Sequence, residues 1–175
     1  MSHIEKITVQ LRTLSAGVER AQALTATADQ QAQEVALRAA GAGFAAVAAG
    51  MTRVRGAIAA VQGRLSGLAT SIGEAATATA AVPREATPEE TVAGLGPVRD
   101  GIVGARAASS ATVSQVGDAQ RLVTLVLQGG QPGPLLQGLE SVKQVLVQVV
   151  QRTTAAERSV EAAVAEARQT GAPGA

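Results

Sequence analysis

The stretch FAAVAAGMTRVRGAIAAVQGRLSGLATSIGEAATATAAV, residues 44–82, carries the pattern that decides the fold. Its core-type residues follow one another at spacings of three and four without a break: Phe44, Val47, Met51, Val54, Ile58, Val61, Leu65, Leu68, Ile72, Ala75, Thr79 and Val82. A mean spacing of 3.5 residues keeps one stripe of a helix turned towards its neighbours over many turns. The stretch therefore predicts one long helix, at residues 43–82, with coiled-coil-like packing.

Three further stretches carry the same repeat. The stripes run from position 4 to 39, from 95 to 126, and from 135 to 167, and the second of these is the least regular. They predict helices at about 3–41, 88–128 and 134–170. Each helix would be roughly 55 to 60 Å long at 1.5 Å per residue.

The residues between the stripes are typical of helix ends. Ser2 with Glu5, and Thr87 with Glu90, have the spacing of capping boxes. The stretch VLQGGQPGPLLQ, residues 126–137, lacks the Gly-Lys-Ser/Thr ending of a phosphate-binding loop, and no strand precedes it. It is most simply a bend between two helices. In GLGPV, residues 94–98, the proline is expected to kink or restart the third helix.

Short connections between helices of equal length favour antiparallel neighbours. We therefore expect an all-α fold of four long antiparallel helices in a single domain, residues 1–175, with 171–175 as a disordered tail. The pattern permits both a compact four-helix bundle and an extended pair of hairpins. A weak internal similarity would divide the chain into halves 1–82 and 88–170, joined by a linker at 83–87, and either duplication or chance in an Ala- and Val-rich sequence explains it.

The composition narrows the classes of function. Hydrophobic residues make up 46% of the chain, but aromatic residues only 1%, and charged residues 17%. The net charge is +1 and the arginines are spread along the chain, so we expect no nucleic-acid partner. There is no cysteine for a disulfide or a thiolate. The longest uncharged run, residues 122–139, contains the bend, so no membrane span is expected.

The sequence offers no cluster of residues suited to catalysis. His3 is the single histidine, and we expect it to be solvated near the start of the first helix. In the first, second and fourth helices the carboxylates fall outside the stripes, where they would form a solvated face. We therefore predict no enzyme activity, no catalytic or metal-binding residue, no cofactor and no small-molecule substrate.

Two apolar segments flank the bend at 126–137. LVTLVL, residues 122–127, is apolar all around its helix, and VLVQVV, residues 145–150, has a broad apolar face. Such helices need cover on more than one side. One interpretation is an interaction patch, and the other is that the first two helices cover both segments. The candidate patch comprises Leu122, Val123, Leu125, Val126, Leu127, Val145, Val147 and Val150.

Three segments carry a resemblance to a known family. PREATPEETVAGLGPV (83–98), VLQGGQPGPLL (126–136) and AEARQTG (165–171) resemble an uncharacterised family of helical proteins from actinobacteria, described as a domain of unknown function. The resemblance covers most of the chain. It implies a bacterial, intracellular protein and carries no catalytic or binding residues.

The paired hairpins are also similar in architecture to the Trp-X-Gly family that type VII secretion exports. This chain departs from that family in having no tryptophan at either bend and no tyrosine for the C-terminal export motif.

The sequence thus favours a non-enzymatic helical scaffold or protein-protein interaction protein, with a second copy of itself or another helical protein as its partner. The N-terminal residues show no secretory signal, so we expect a cytoplasmic location. The alternative is an exported helical-hairpin protein linked to a type VII-like secretion or toxin system, secreted by a non-classical route.

Overall fold

Four long helices account for nearly all of residues 1–172, the part of the chain that the computed structural model describes. They are α1 (His3–Gly41), α2 (Ala45–Ala80), α3 (Pro88–Val126) and α4 (Gly133–Gly171). No strand occurs among these residues. The prediction of an all-α fold with four helices is confirmed.

The helices form a compact up-down-up-down bundle. Helix α1 packs against α2 and α4, and α3 packs against the same two helices. Within residues 1–172, the diagonal pairs α1 with α3 and α2 with α4 bring no two Cα atoms within 8 Å of each other. Of the two arrangements that the sequence permitted, the protein has the closed bundle. The two bends of the hairpins therefore lie at one end, and the connection between α2 and α3 lies at the other.

The ends of the helices follow local backbone chemistry. Both capping boxes are present: the Glu5 carboxylate accepts from the Ser2 backbone N–H at 2.8 Å, and the Glu90 carboxylate accepts from that of Thr87 at 2.8 Å. Helix α2 starts two residues later than predicted because Gly43, with a φ of 81°, adopts a left-handed conformation that ends α1.

Other boundaries differ from the prediction by one or two residues. Helix α2 ends at Ala80 because the residue before Pro83 is biased away from helical geometry. Helix α3 ends at Val126, before Gly129 with a φ of 83°, and it runs unbroken through Pro97, so the expected restart does not occur. The tail predicted at 171–175 is partly wrong, since Gly171 is helical; residues 173–175 lie outside the described part of the chain.

The heptad stripes form the core. All ten predicted positions on α4 are buried, and so are all of those on α2 from Met51 onwards. Phe44 is a correction: it is 63% exposed, because it caps α2 in the bend and does not lie in the stripe. Several buried residues carry hydroxyl groups, and each donates its hydrogen bond to a backbone carbonyl one turn earlier: Thr25, Thr79, Ser109, Thr112 and Thr153.

Glycines allow the two hairpins to approach each other closely. A Cβ atom at Gly17 of α1 would lie 2.8 Å from Cγ2 of Val149 in α4, and one at Gly50 of α2 would lie 2.6 Å from Cγ1 of Val126 in α3. A Cβ atom at Gly101 of α3 would likewise lie 3.2 Å from the Cβ atom of Ala75 in α2. These contacts all join α1–α2 to α3–α4. The two hairpins therefore dock as closely packed units, while their origin by duplication stays a prediction.

Candidate interaction surface

The eight residues of the predicted patch do not share one environment. Val123 and Val145 are buried, whereas Leu125 is 67% and Val147 is 38% exposed. The remaining four are partly buried: Leu122, Val126, Leu127 and Val150. The two apolar segments therefore do not form a single accessible surface.

The first two helices cover part of each segment. Val126 lies against Gly50, where both of its methyl groups occupy the space that a side chain on α2 would take. Val145 lies beside α1, in the shallow groove that Thr13 and Gly17 also line. For these residues the structure agrees with the second interpretation of the sequence, in which α1 and α2 provide the cover.

One apolar side chain of the patch, Leu125, is exposed in a groove on the outer side of α3 and α4. We call it the Leu125 groove; its volume is about 660 Å³ and it is open to solvent along its length. It is lined by Gly117, Gln120, Arg121, Thr124, Leu125, Gln128, Leu136, Gln137, Glu140 and Lys143. Leu125 and Leu136 provide its two large apolar side chains.

Polar contacts connect several side chains that line the Leu125 groove. The side-chain amide of Gln120 on α3 donates to the Glu140 carboxylate on α4 at 2.9 Å. Arg121 donates to Asp118, one turn earlier on the same helix, at 2.8 Å. The groove thus combines an apolar floor near the bend with a rim of amides and charges of both signs.

Val147 lies away from the Leu125 groove. It follows Leu136 by eleven residues on α4, a separation of roughly 16 Å along the helix. Sequence periodicity did not indicate Leu136, because that residue sits beside the stripe position Leu135. The uncharged run at 122–139 is the signal that could have found it.

Most ionic contacts between helices lie within the hairpins. Asp29 on α1 accepts two hydrogen bonds from Arg55 on α2, at 3.0 and 3.1 Å, and these bonds raise the pKa of Arg55. Arg106 on α3 pairs with Glu157 on α4. Glu157 is mostly buried in this contact, which corrects its predicted place on a solvated face.

The terminal regions of α1 and α4 are also joined. Nε2 of His3 lies 2.7 Å from a carboxylate oxygen of Glu166, so the histidine predicted to be solvated has a partner. The backbone N–H of Ser2 lowers the pKa of Glu5. Among residues 1–172, no three acidic or histidine side chains are grouped so that they could hold a metal ion.

None of the four helices, over the residues that the structure describes, combines the length and the apolar character that crossing a membrane requires.

Comparison with known proteins gives one match. A family model, described as a family of unknown function (DUF6244), matches residues 86–172. The matched residues span α3, the bend and α4, and so include the Leu125 groove. Neither the curated proteins nor the solved structures contain a match to the chain. The predicted resemblance to a family of unknown function is thereby confirmed over residues 86–172.

Proposed function

We propose that this chain is a non-enzymatic helical protein that binds another protein through the Leu125 groove. The observation that carries the proposal is the exposure of Leu125: 67% of a large aliphatic side chain faces solvent beside Leu136, in the groove between α3 and α4. Leu37 is similarly exposed, at 66%, but it does not line this groove. Covering Leu125 and Leu136 with an apolar partner surface removes their side chains from water, which favours association.

The shape of the groove suits a helix of a partner protein. It lies between α3 and α4 and is wide open to solvent, whereas small-molecule sites enclose most of their ligand. An amphipathic helix places apolar residues every three or four positions, which matches an apolar floor flanked by Gln128 and Gln137. Arg121, Glu140 and Lys143 on the rim would then favour a partner with charges of both signs beside its apolar stripe.

The ionic contacts support a structural role for the charged residues. Asp29, Glu157 and Glu166 each pair with a basic side chain of another helix, so each of these contacts joins two helices. These residues also lie in three different helix pairs, α1–α2, α3–α4 and α1–α4, and they do not converge on one cavity. A binding protein needs no such convergence, whereas an enzyme does.

A matched pair of variants tests the proposal. Leu125→Glu places a charge in the groove, whereas Val103→Glu places the same charge at another exposed position of α3, where Val103 is 43% exposed. Full-length protein carrying each substitution would serve as bait for proteins from its host. We expect the wild type and Val103→Glu to retain the same specific partner, and Leu125→Glu to lose it.

Two outcomes contradict the proposal. One is that the wild type retains no specific partner, and the other is that Leu125→Glu retains the partner as well as Val103→Glu does. Circular dichroism of both variants establishes that the bundle is intact, which both substitutions should permit because each side chain is exposed.

The alternative function predicted from the sequence is that of an exported helical-hairpin protein. Its test is the fractionation of a host with a working export apparatus, where detection only inside the cells would contradict it.

A further inference from the structure

A shallow groove between α1 and α4 brings two arginines together. Arg20 lines this groove from α1 and Arg152 lines it from α4, with Gly17 and Val149 between them. The volume of the groove is about 210 Å³. We call it the arginine groove; it lies on a different pair of helices from the Leu125 groove.

The contact between Gly17 and Val149 fixes the relative position of the two arginines. A Cβ atom at Gly17 would lie 2.8 Å from Cγ2 of Val149, so these two residues are at the same level of the bundle. Arg20 follows Gly17 by three residues and Arg152 follows Val149 by three residues, on helices that run in opposite directions. The arginines therefore lie on opposite sides of this contact, roughly 9 Å apart along the bundle, and both long side chains can reach the space above Gly17.

The two arginines have no internal counter-charge. Among residues 1–172, neither Arg20 nor Arg152 forms an ion pair, and no acidic residue lines the groove. Glu19 precedes Arg20 in the chain, but successive residues of a helix point about 100° apart, so Glu19 lies on another side of α1. The two guanidinium groups thus raise the positive potential of the groove.

The helix segments around the arginine groove are basic as well. Residues 6–20 of α1 and 146–160 of α4 lie side by side, because Gly17 is level with Val149. Together these segments contain five basic and two acidic residues, whereas the whole chain has a net charge of +1. One of the two acidic residues, Glu157, is already paired with Arg106 on α3. An anion that approaches this groove therefore meets a net positive field.

Small residues leave room between the arginines. Gly17 has no side chain and Ala16 has only a methyl group, and both line the groove. Gln148 lines it from α4 with an exposed side chain, whose amide supplies a further N–H donor. The Thr13 hydroxyl already donates to the Val9 carbonyl, at 3.0 Å. Donor groups of two helices thus surround one small space that is open to solvent.

From this arrangement we infer that the arginine groove binds a phosphate group, either as the free ion or as a monoester. A single guanidinium group pairs with both oxygens of a carboxylate, whereas the oxygens of a phosphate point in several directions and accept from donors on two helices. A phosphomonoester carries about 1.5 to 2 negative charges at pH 7, which matches two arginines. The bound phosphate connects α1 with α4 and so joins the two hairpins.

Thermal unfolding and calorimetry of the full-length protein test the inference. A ligand that binds only the folded state raises Tm, and inorganic phosphate in tenfold excess over its Kd should raise it by about 3 to 6 °C. Isothermal titration calorimetry gives the Kd itself. Arg20→Gln and Arg152→Gln should each raise the Kd by about tenfold or more, because each removes a charge-assisted hydrogen bond to the phosphate.

Two matched variants on the same helices serve as controls. Arg12→Gln on α1 and Arg158→Gln on α4 remove the same charge at exposed positions that do not line the arginine groove. Both should bind phosphate with a Kd within about twofold of the wild type, since salt screens charges outside the groove. All four arginines are exposed, so circular dichroism should show an intact bundle in each variant.

Two further ligands define the chemistry of the site. Glycerol 3-phosphate distinguishes the two sources: tighter binding than inorganic phosphate assigns the groove to a phosphate ester, and weaker binding assigns it to the free ion. Acetate at the same ionic strength should leave Tm unchanged, because it carries one charge and two oxygens in one plane.

Phosphate also stabilises folded proteins by exclusion from their surface, so the double variant Arg20→Gln with Arg152→Gln is the reference for specific binding. An equal rise of Tm in the wild type and the double variant would overturn the inference. So would equal stabilisation by acetate, or an equal loss of binding in Arg12→Gln and Arg158→Gln. None of these measurements involves Leu125, so the outcome for the arginine groove and the outcome for the proposed function are independent.

Discussion

Alanine substitutions at two glycines of α2 should differ in their effect on stability, because only one of the two glycines lies against another helix. Gly63 is exposed, and nothing lies within 4 Å of the Cβ atom that alanine would add there. Glycine inside a helix costs about 0.8 to 1 kcal/mol relative to alanine. Gly63→Ala should therefore raise the free energy of unfolding by about 1 kcal/mol, which corresponds to roughly 2 to 4 °C in Tm for a chain of this size.

Gly50→Ala gains the same helix propensity but meets α3. The new Cβ would lie 2.6 and 2.7 Å from the two methyl carbons of Val126, and 3.2 Å from its Cβ. Rotation of the valine about χ1 cannot clear both methyl groups, and valine in a helix strongly prefers one rotamer. The helices must separate, at a cost of about 1 to 3 kcal/mol for overpacking. The net effect should lie between neutral and about 2 kcal/mol destabilising.

Urea denaturation followed by circular dichroism at 222 nm measures both variants. The reasoning requires Gly50→Ala to be less stable than Gly63→Ala by about 1 to 3 kcal/mol. A double variant, Gly50→Ala with Val126→Ala, removes the clashing methyl groups and should recover part of the loss in a double-mutant cycle. Equal stability of the two single variants, or no coupling in the cycle, would refute the close approach of α2 and α3.

Three further changes test the caps, the core and the pH dependence. Thr87→Ala should cost about 1 kcal/mol by removing the hydrogen bond from the Glu90 backbone at the start of α3, whereas Thr70→Ala, at an exposed position within α2, should have little effect on Tm. Ile58→Ala should cost about 2 to 5 kcal/mol because its side chain is fully buried, and Val103→Ala should stay within about 0.5 kcal/mol in the same urea titration. Because the folded state lowers the pKa of Glu5, the stability that Glu5 contributes is fully present above about pH 4.3 and is lost as the pH falls through the lowered value. Stability measured from pH 6 to pH 2 should therefore fall less in Glu5→Gln than in the wild type; an equal fall in both would contradict the capping role.

The sequence predicted the helices well because a repeat of 3.5 residues constrains every turn. From Ile7 to Val160, aliphatic stripe positions point to the core, and one misplaced stripe would have exposed a whole row of side chains. The ends were predicted less accurately, since they depend on single residues. The left-handed conformation of Gly43 moved the start of α2, and it left Phe44 outside the stripe that its spacing suggested.

The candidate surface could be predicted only in part. A heptad pattern places Val126 on a stripe and Val145 beside one, but it does not show which neighbouring helix lies over each of them. That depends on the small residues opposite: Gly50 leaves room for Val126, and the groove beside Gly17 receives Val145. Exposure of Leu125 follows from the same cause, because it lies on the side of α3 that no helix of the closed bundle covers.

The bundle has two notable kinds of helix contact: charged pairs, and close approaches at glycines. Most charged pairs join helices within a hairpin, as between Asp29 and Arg55 or between Arg106 and Glu157, whereas His3 and Glu166 join α1 to α4. Contacts between the hairpins also include close approaches at glycines such as Gly50 and Gly101, where an added methyl group would meet the opposite helix.

It follows that salt and volume should act on different parts of the bundle. High salt weakens the pairs within a hairpin, while an added methyl group weakens the docking of one hairpin on the other. The family match covers the second hairpin, which has its own charged pairs but buries its apolar face against α1 and α2. A hairpin of this kind needs a second hairpin to complete its core, and in this chain the aliphatic stripes of α1 and α2 meet that need.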